Sequence, residues 1–150
     1  MNLKDVIQKY LEQMHVMHLA TVKDGKPRLC SVHYAPSSDG NLYWVSSRNA
    51  QHSEDVRNNK ITAAAILINE ETRQCIHFEG EAFELSGDEI TKADAIYGKR
   101  YGVNKERLEA VLKVKKENPA YYVFKPMHIT LIDTVLFPDN PKQELALHQK

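Results

Sequence analysis

The chain has 150 residues, with 20 Lys plus Arg balanced by 20 Asp plus Glu, so its formal net charge is zero. That length suits one domain built on a single core, and the lack of a basic excess argues against a general nucleic-acid binder. The two cysteines, Cys30 and Cys75, form no CxxC pair, which fits a reduced cytoplasmic protein, although one disulfide remains open.

In chain order, the N-terminal stretch MNLKDVIQKYLEQM is amphipathic and charged, unlike a signal peptide or a membrane span. Asn2 can cap a first helix, with Leu3, Ile7, Tyr10, Leu11 and Met14 recurring along one apolar stripe. Val16 to Lys23, Arg28 to Tyr34 and Leu42 to Ser47 then read as the three strands of an antiparallel meander. Asp24-Gly25-Lys26-Pro27 and Ser37-Ser38-Asp39-Gly40-Asn41 supply its turns.

The third strand ends in Ser46, Ser47 and Arg48, and either Ser47 or Asn49 can cap a following helix that carries His52. Hydroxyls and a guanidinium beside a helix N-terminus make an anion site, because free backbone N–H groups, the helix dipole and a cation converge there. The alternative is that these polar residues only cap a surface helix.

Ile61 to Ile68 is a short, almost continuous apolar run that reads as a buried strand. Gln74 to Leu85 alternates as a long bent strand, with Gly80 where a bulge or a close backbone approach is expected. From Ser86 the period changes: Ser86 and Glu89 have capping-box spacing, and Ile90, Ala93 and Tyr97 follow on a helix that stops near Gly102. Asn104 opens another helix bearing Leu108, Val111, Leu112 and Lys115, which Pro119 ends. Tyr121 to Lys125 and, after Pro126, His128 to Leu136 are strands, and the tail from about residue 138, with its two prolines, reads as irregular or docked on a partner chain.

Six or seven strands, with helices set apart from them and no βαβ alternation, give an antiparallel α+β domain, mainly β, in the form of a small barrel spanning residues 1–150. No Gly-x-Gly-x-x-Gly motif and no Walker loop is present, which disfavours a Rossmann or P-loop nucleotide site. Cys75 and His77 share a strand face whereas Cys30 and His33 point to opposite faces, so no compact metal site is expected. Cys30 reads as a buried, inert thiol in preference to a nucleophile.

The ordered set HLATVKDGKPRLCSVHY, NLYWVSS, SSRNAQH, an apolar strand and EGEAFEL resembles the FMN-binding split β-barrels related to pyridoxamine 5'-phosphate oxidase. Within them, LEQMHV, DGKPRLC and SSRNAQH look most like the small bacterial YhbP-like proteins of unassigned function. The resemblance implies a six- to seven-stranded split barrel with peripheral helices. It also implies a homodimer with FMN at the subunit interface, its phosphate on the strand-turn-helix segment and its ring along the second strand.

Carried over by position, Arg28, Leu29, Cys30, Ser31 and Val32 would line the flavin, and Ser46, Ser47 and Arg48 would meet the phosphate. His52 falls where a lysine or another cation commonly sits, and a histidine there makes phosphate affinity pH-dependent. Gln74 and His77 lie on the strand that often adds a polar contact, with the register between them open. Arg28 would stabilise a reduced anionic flavin if it points at the ring, or else is an exposed strand charge. No pair of residues stands out as acid and base.

The Trp- and Arg-rich C-terminal segment with which the vitamin B6 oxidases grip substrate is replaced here by YYVFKPMHITLIDTVLF. The resemblance therefore implies an FMN-dependent oxidoreductase acting on another small molecule. The alternatives are a haem-binding protein, or a non-catalytic flavin-binding or stress-related module, on the same fold; a deazaflavin is a further option for the cofactor.

Overall fold

The computed structural model describes residues 1–147. Helix α1 (Leu3–Gln13) begins where the Asn2 side chain accepts a hydrogen bond from the Asp5 N–H at 2.9 Å, and it buries Val6, Ile7 and Leu11. Leu3, Tyr10 and Met14 pack against the same core from its rim. Strands β1 (Val16–Lys23) and β2 (Lys26–His33) pair antiparallel across a two-residue turn. Asp24 and Gly25 both take positive φ there, 52° and 75°, the combination whose twist matches that of a hairpin.

The remaining elements are β3 (Ala35–Pro36), β4 (Leu42–Ser47), α2 (Gln51–Asn58), β5 (Ile61–Asn69), β6 (Gln74–Glu84), α3 (Asp88–Tyr101), α4 (Lys105–Leu112), β7 (Pro119–Asp133) and β8 (Lys142–Ala146). All eight strands join one sheet in the order β2-β1-β5-β6-β7-β4-β3, with β8 also on β7. Every pairing is antiparallel. This is the α+β split barrel that the resemblance implies.

β7 is the spine. One edge pairs with β6 along nearly its whole length, while the other is shared between β4 at residues 119–124 and β8 at residues 128–132. The run Tyr121-Tyr122-Val123-Phe124 is buried throughout because both faces of β7 are covered. Tyr122 and Phe124 enter the main core with Trp44, whereas Tyr121 and Val123 join Tyr43, Ile90, Ala93 and Val111 in a second cluster under α3 and α4. Trp44 and Tyr122 stack with centroids 5.3 Å apart.

The structure departs from expectation at four places. Pro126 does not divide β7: the register slips between Glu79 and Gly80, leaving Met127 as an extra residue, and the strand passes the proline as a bulge. Gly80 is the close approach, since a Cβ there would lie 2.3 Å from the Lys125 carbonyl oxygen. α3 starts at Gly87 with no side-chain cap, so the Ser86 and Glu89 capping box does not form. The tail is not irregular: Lys142–Ala146 alternates in burial and pairs with β7 as β8, because Leu145 has core to cover opposite Ile129. Finally, α2 begins at Gln51 after Ala50, and neither Ser47 nor Asn49 caps it.

Candidate functional site

At the end of β4 the alternation of the strand sends Ser46 toward α2 on the barrel side and Ser47 to the other face. Ser47 Oγ donates to Asn49 Oδ1 at 2.6 Å, so the two residues that could have capped α2 satisfy each other. The first turn of α2 consequently has no side-chain cap, and its backbone N–H groups keep the partial positive charge of a helix N-terminus. His52 Nε2 lies 2.8 Å from Ser46 Oγ. Burial pushes the His52 imidazole below its ordinary value of 6.5, against the raising influence of the Asp55 carboxylate, so it is mostly neutral at pH 7.

β2 forms the facing wall. Its alternation turns Arg28, Cys30 and Val32 inward and Leu29, Ser31 and His33 outward. Val32 is core, and Cys30 packs on it. Arg28 reaches α2, where its Nε lies 3.2 Å from Asp55 Oδ2 and its Nη2 donates to Oδ1 at 3.4 Å. Thr21 Oγ1 on β1 donates to the same carboxylate at 2.9 Å. Burial, and after it the charge of Asp55, push the Cys30 thiol up to about 11, which keeps it protonated. Arg28 also borders a hollow of about 420 Å³ at the β1–β2 turn, together with Lys23 and Lys26.

Two residues of α2, Asp55 and His52, thus meet Arg28 of β2 and Ser46 of β4 respectively. Arg48 does not join them through its side chain. It is 7% exposed, and its guanidinium donates to the carbonyls of Pro119 (2.9 Å), Val111 (3.1 Å) and Lys115 (3.4 Å) at the end of α4 and the loop beyond. Arg57, on α2, donates to the Arg48 carbonyl at 2.6 Å and to Glu84 on β6 at 3.1 Å.

Gln74 stands elsewhere. Its Nε2 donates to Tyr10 Oη at 2.9 Å and to Asp133 Oδ1 at 3.1 Å, and the Tyr10 hydroxyl donates to Asp133 as well. This buried cluster ties α1 to the far end of β7. His77 lies on the outer face of the sheet, its Nε2 3.8 Å from Cys75 Sγ. In the same cross-strand row are Ala65, His18 and Ser31, with His18 Nδ1 2.9 Å from Ser31 Oγ. Leu29, 74% exposed, occupies the next row with Ala20 and Ala63.

Sequence reasoning missed Thr21, Asp55 and Arg57. The one signal available was the spacing of His52, Asp55 and Val56, which puts them on a single helical face; the partner of Asp55 comes from β2 and could not be read locally.

The arrangement defines a split barrel in which α2 makes polar contacts with β2 and with the end of β4. The chain belongs to the pyridoxamine 5'-phosphate oxidase family, whose model matches residues 3–141. Among solved structures it is similar to general stress protein 26 from Bacillus anthracis, at 21% identity and a TM-score of 0.69, over 98% of this chain and 100% of that one. It is similar to HutZ, the heme storage protein from Vibrio cholerae, at 18% identity and a TM-score of 0.66, over 84% of this chain and 91% of that one. A heme binding protein from Mycobacterium smegmatis matches at 16% identity and a TM-score of 0.64, over 91% of this chain but 57% of that one. At these identities the likeness speaks for the fold alone. No curated protein sequence matches the chain. Among the described residues, no helix is long and apolar enough to cross a membrane.

Proposed function

We propose that this chain is an FMN-binding flavoprotein of the cytoplasm that acts as an oxidoreductase on a small molecule other than the vitamin B6 phosphates. The observation that carries the reading is the uncapped first turn of α2, where His52 meets Ser46, with Arg28 held to the same helix through Asp55. Helix N–H groups, a hydroxyl and an arginine form the donor set that a phosphate monoester needs. Bound there, FMN would supply an isoalloxazine that takes up and returns a hydride or electrons.

The chain's own residues bind and orient. Ser46 and the first N–H groups of α2 hold the phosphate, and His52 adds a positive charge when protonated. Arg28 offers its outward edge to the cofactor, and Cys30 and Val32 form an apolar wall that limits water. Arg48 is assigned a supporting role, fixing the loop that carries these groups.

The working form is a homodimer. The outer face of the sheet exposes Val16, Leu29, Ile61, Leu67 and Met127 around the small residues Ala20, Ala63 and Ala65, an apolar surface that a second copy would cover. In that assembly Ser31 and His77 would lie at the subunit boundary. The test is an absorbance spectrum of the purified protein followed by FMN titration. Yellow protein, or uptake of one FMN per chain, supports the reading; colourless protein that takes up none overturns it.

A second reading is haem binding. His18 and His77 stand in one row of the outer face, and two similar folds are described as a heme storage protein and a heme binding protein. A Soret band on haem titration that is lost in His18→Ala or His77→Ala supports it, and the absence of any spectral change removes it.

A further inference from the structure

The polar cluster of Tyr10, Gln74 and Asp133 closes on itself. Asp133 is fully buried: its Oδ2 accepts from the Tyr10 hydroxyl, and its Oδ1 accepts from Gln74 Nε2 and from the backbone N–H groups of Val135 (3.0 Å) and Leu136 (2.9 Å). The Phe137 N–H donates to the Asp133 carbonyl at 3.1 Å, and Gln74 Oε1 accepts from the Thr72 hydroxyl. Burial, and after it the bond to Asp133, push the Tyr10 phenol up to about 12, so it keeps its proton and stays a donor to Asp133. The cluster therefore fixes the turn at residues 134–137 against α1. Between these two walls lies a hollow of about 440 Å³, within the size range of small-molecule sites. Val6, Lys9, Tyr10 and Gln13 line it from α1, at the spacing that puts them on one helical face, and Leu136 and Phe137 line it from the turn.

We propose that this hollow binds a small amphipathic carboxylate, its apolar end between α1 and the turn and its carboxylate against Lys9 and Gln13. No lining residue is acidic. Lys9 and Gln13, one helical turn apart, make no ion pair and no side-chain hydrogen bond among the described residues, so an ammonium and an amide are both available to one anionic head. The Tyr10 hydroxyl already donates its proton to Asp133 and offers an entering anion no donor, which leaves the depth of the hollow to the apolar end. A single ammonium with no guanidinium fork and no helix N-terminus among the lining groups suits a monoanion better than a phosphate. The proposal goes beyond the FMN reading and does not depend on it.

The test titrates the protein with octanoate, octanol and acetate, followed by calorimetry and by backbone amide shifts in proton–nitrogen NMR spectra. Octanoate is expected to saturate one site with a Kd of about 1 mM or tighter, in keeping with a ligand of about ten heavy atoms, and to move the amides of α1 and of residues 134–137. Octanol, which carries the tail alone, is expected to bind about threefold more weakly, the scale of an exposed ion pair, and acetate, the head alone, not measurably. Lys9 is exposed and unpaired, so Lys9→Met should fold as wild type does, bring octanoate down to the affinity of octanol and leave octanol unchanged. Leu136→Asp, which puts a like charge in place of an apolar wall, should weaken octanoate by about tenfold or more. No saturation up to about 10 mM, shifts centred elsewhere, octanol binding as tightly as octanoate, or wild-type octanoate affinity in Lys9→Met would each overturn the proposal. If Leu136→Asp does not fold, the amide shifts and Lys9→Met decide.

Discussion

Replacing Arg48 by methionine separates a structural clamp from a phosphate ligand. The substitution keeps most of the aliphatic stem and deletes the donors. Two hydrogen bonds of good length are lost, to the carbonyls of Pro119 at 2.9 Å and Val111 at 3.1 Å, with a weaker one to Lys115 at 3.4 Å. Hydrogen bonds from a charged donor contribute about 1.5 kcal/mol each at the low end, so the two good ones sum to about 3 kcal/mol. Glu84, 3.9 Å from Nε and itself paired with Arg57, adds little. For a domain of this size that loss lowers the melting temperature by about 6–12 °C. Thermal and urea unfolding of Arg48→Met measure the cost, and FMN titration at a temperature where the variant is fully folded measures the site. The expected outcome is a large loss of stability with FMN affinity changed less than threefold. A variant as stable as wild type that has lost FMN binding would refute the clamp and return Arg48 to the phosphate.

Gly80→Ala should destabilise by about 3 kcal/mol or more, since its methyl would lie 2.3 Å from a backbone oxygen that cannot yield without moving β7; urea unfolding reads it. His52 has a folded-state value depressed below 6.5, so the unfolded chain binds the proton more readily. The stability it contributes is full above 6.5 and is lost as pH falls through the depressed value. Urea midpoints at pH 7.5 and 5.5 should therefore differ more in wild type than in His52→Gln. FMN affinity should move the other way, rising as pH falls through that window in wild type and staying flat in the variant. Ala63→Arg places a charge in the middle of the outer face and should convert a dimer into monomers in sedimentation equilibrium, with far-UV circular dichroism unchanged.

The strands that depend on local pattern were legible in the sequence. Val16 to Lys23 and Leu42 to Ser47 are bounded by turn residues and recur with the same limits in the structure. Asn2 and Asn104 cap the helices they precede, because a side chain three residues from an open N–H needs nothing distant. What escaped the reading depends on contacts far along the chain. β8 looked irregular because its prolines precede it and its partner lies in β7. Pro126 looked like a strand breaker because the slip that accommodates it is set against Gly80 on another strand.

The candidate site follows the same division. Ser46 and His52, six positions apart, could be brought together from local spacing. Asp55 could not, as its value comes from Thr21 and Arg28. Arg48 reads as a free cation beside a turn, and only α4, more than fifty residues later, supplies the carbonyls that occupy it.

That grip has a mechanical side. The segment joining β4 to α2 is moored through the Arg48 side chain to the end of α4 and the stretch beyond it, and through Arg57 its backbone is tied to Glu84 on β6. Changes at the close of α4, well away from any bound ligand, would slacken the mooring and cost stability while the residues around His52 stay intact. Screening for loss of stability should accordingly extend to Val111 and the turn beyond it, where a survey confined to the barrel core would not look.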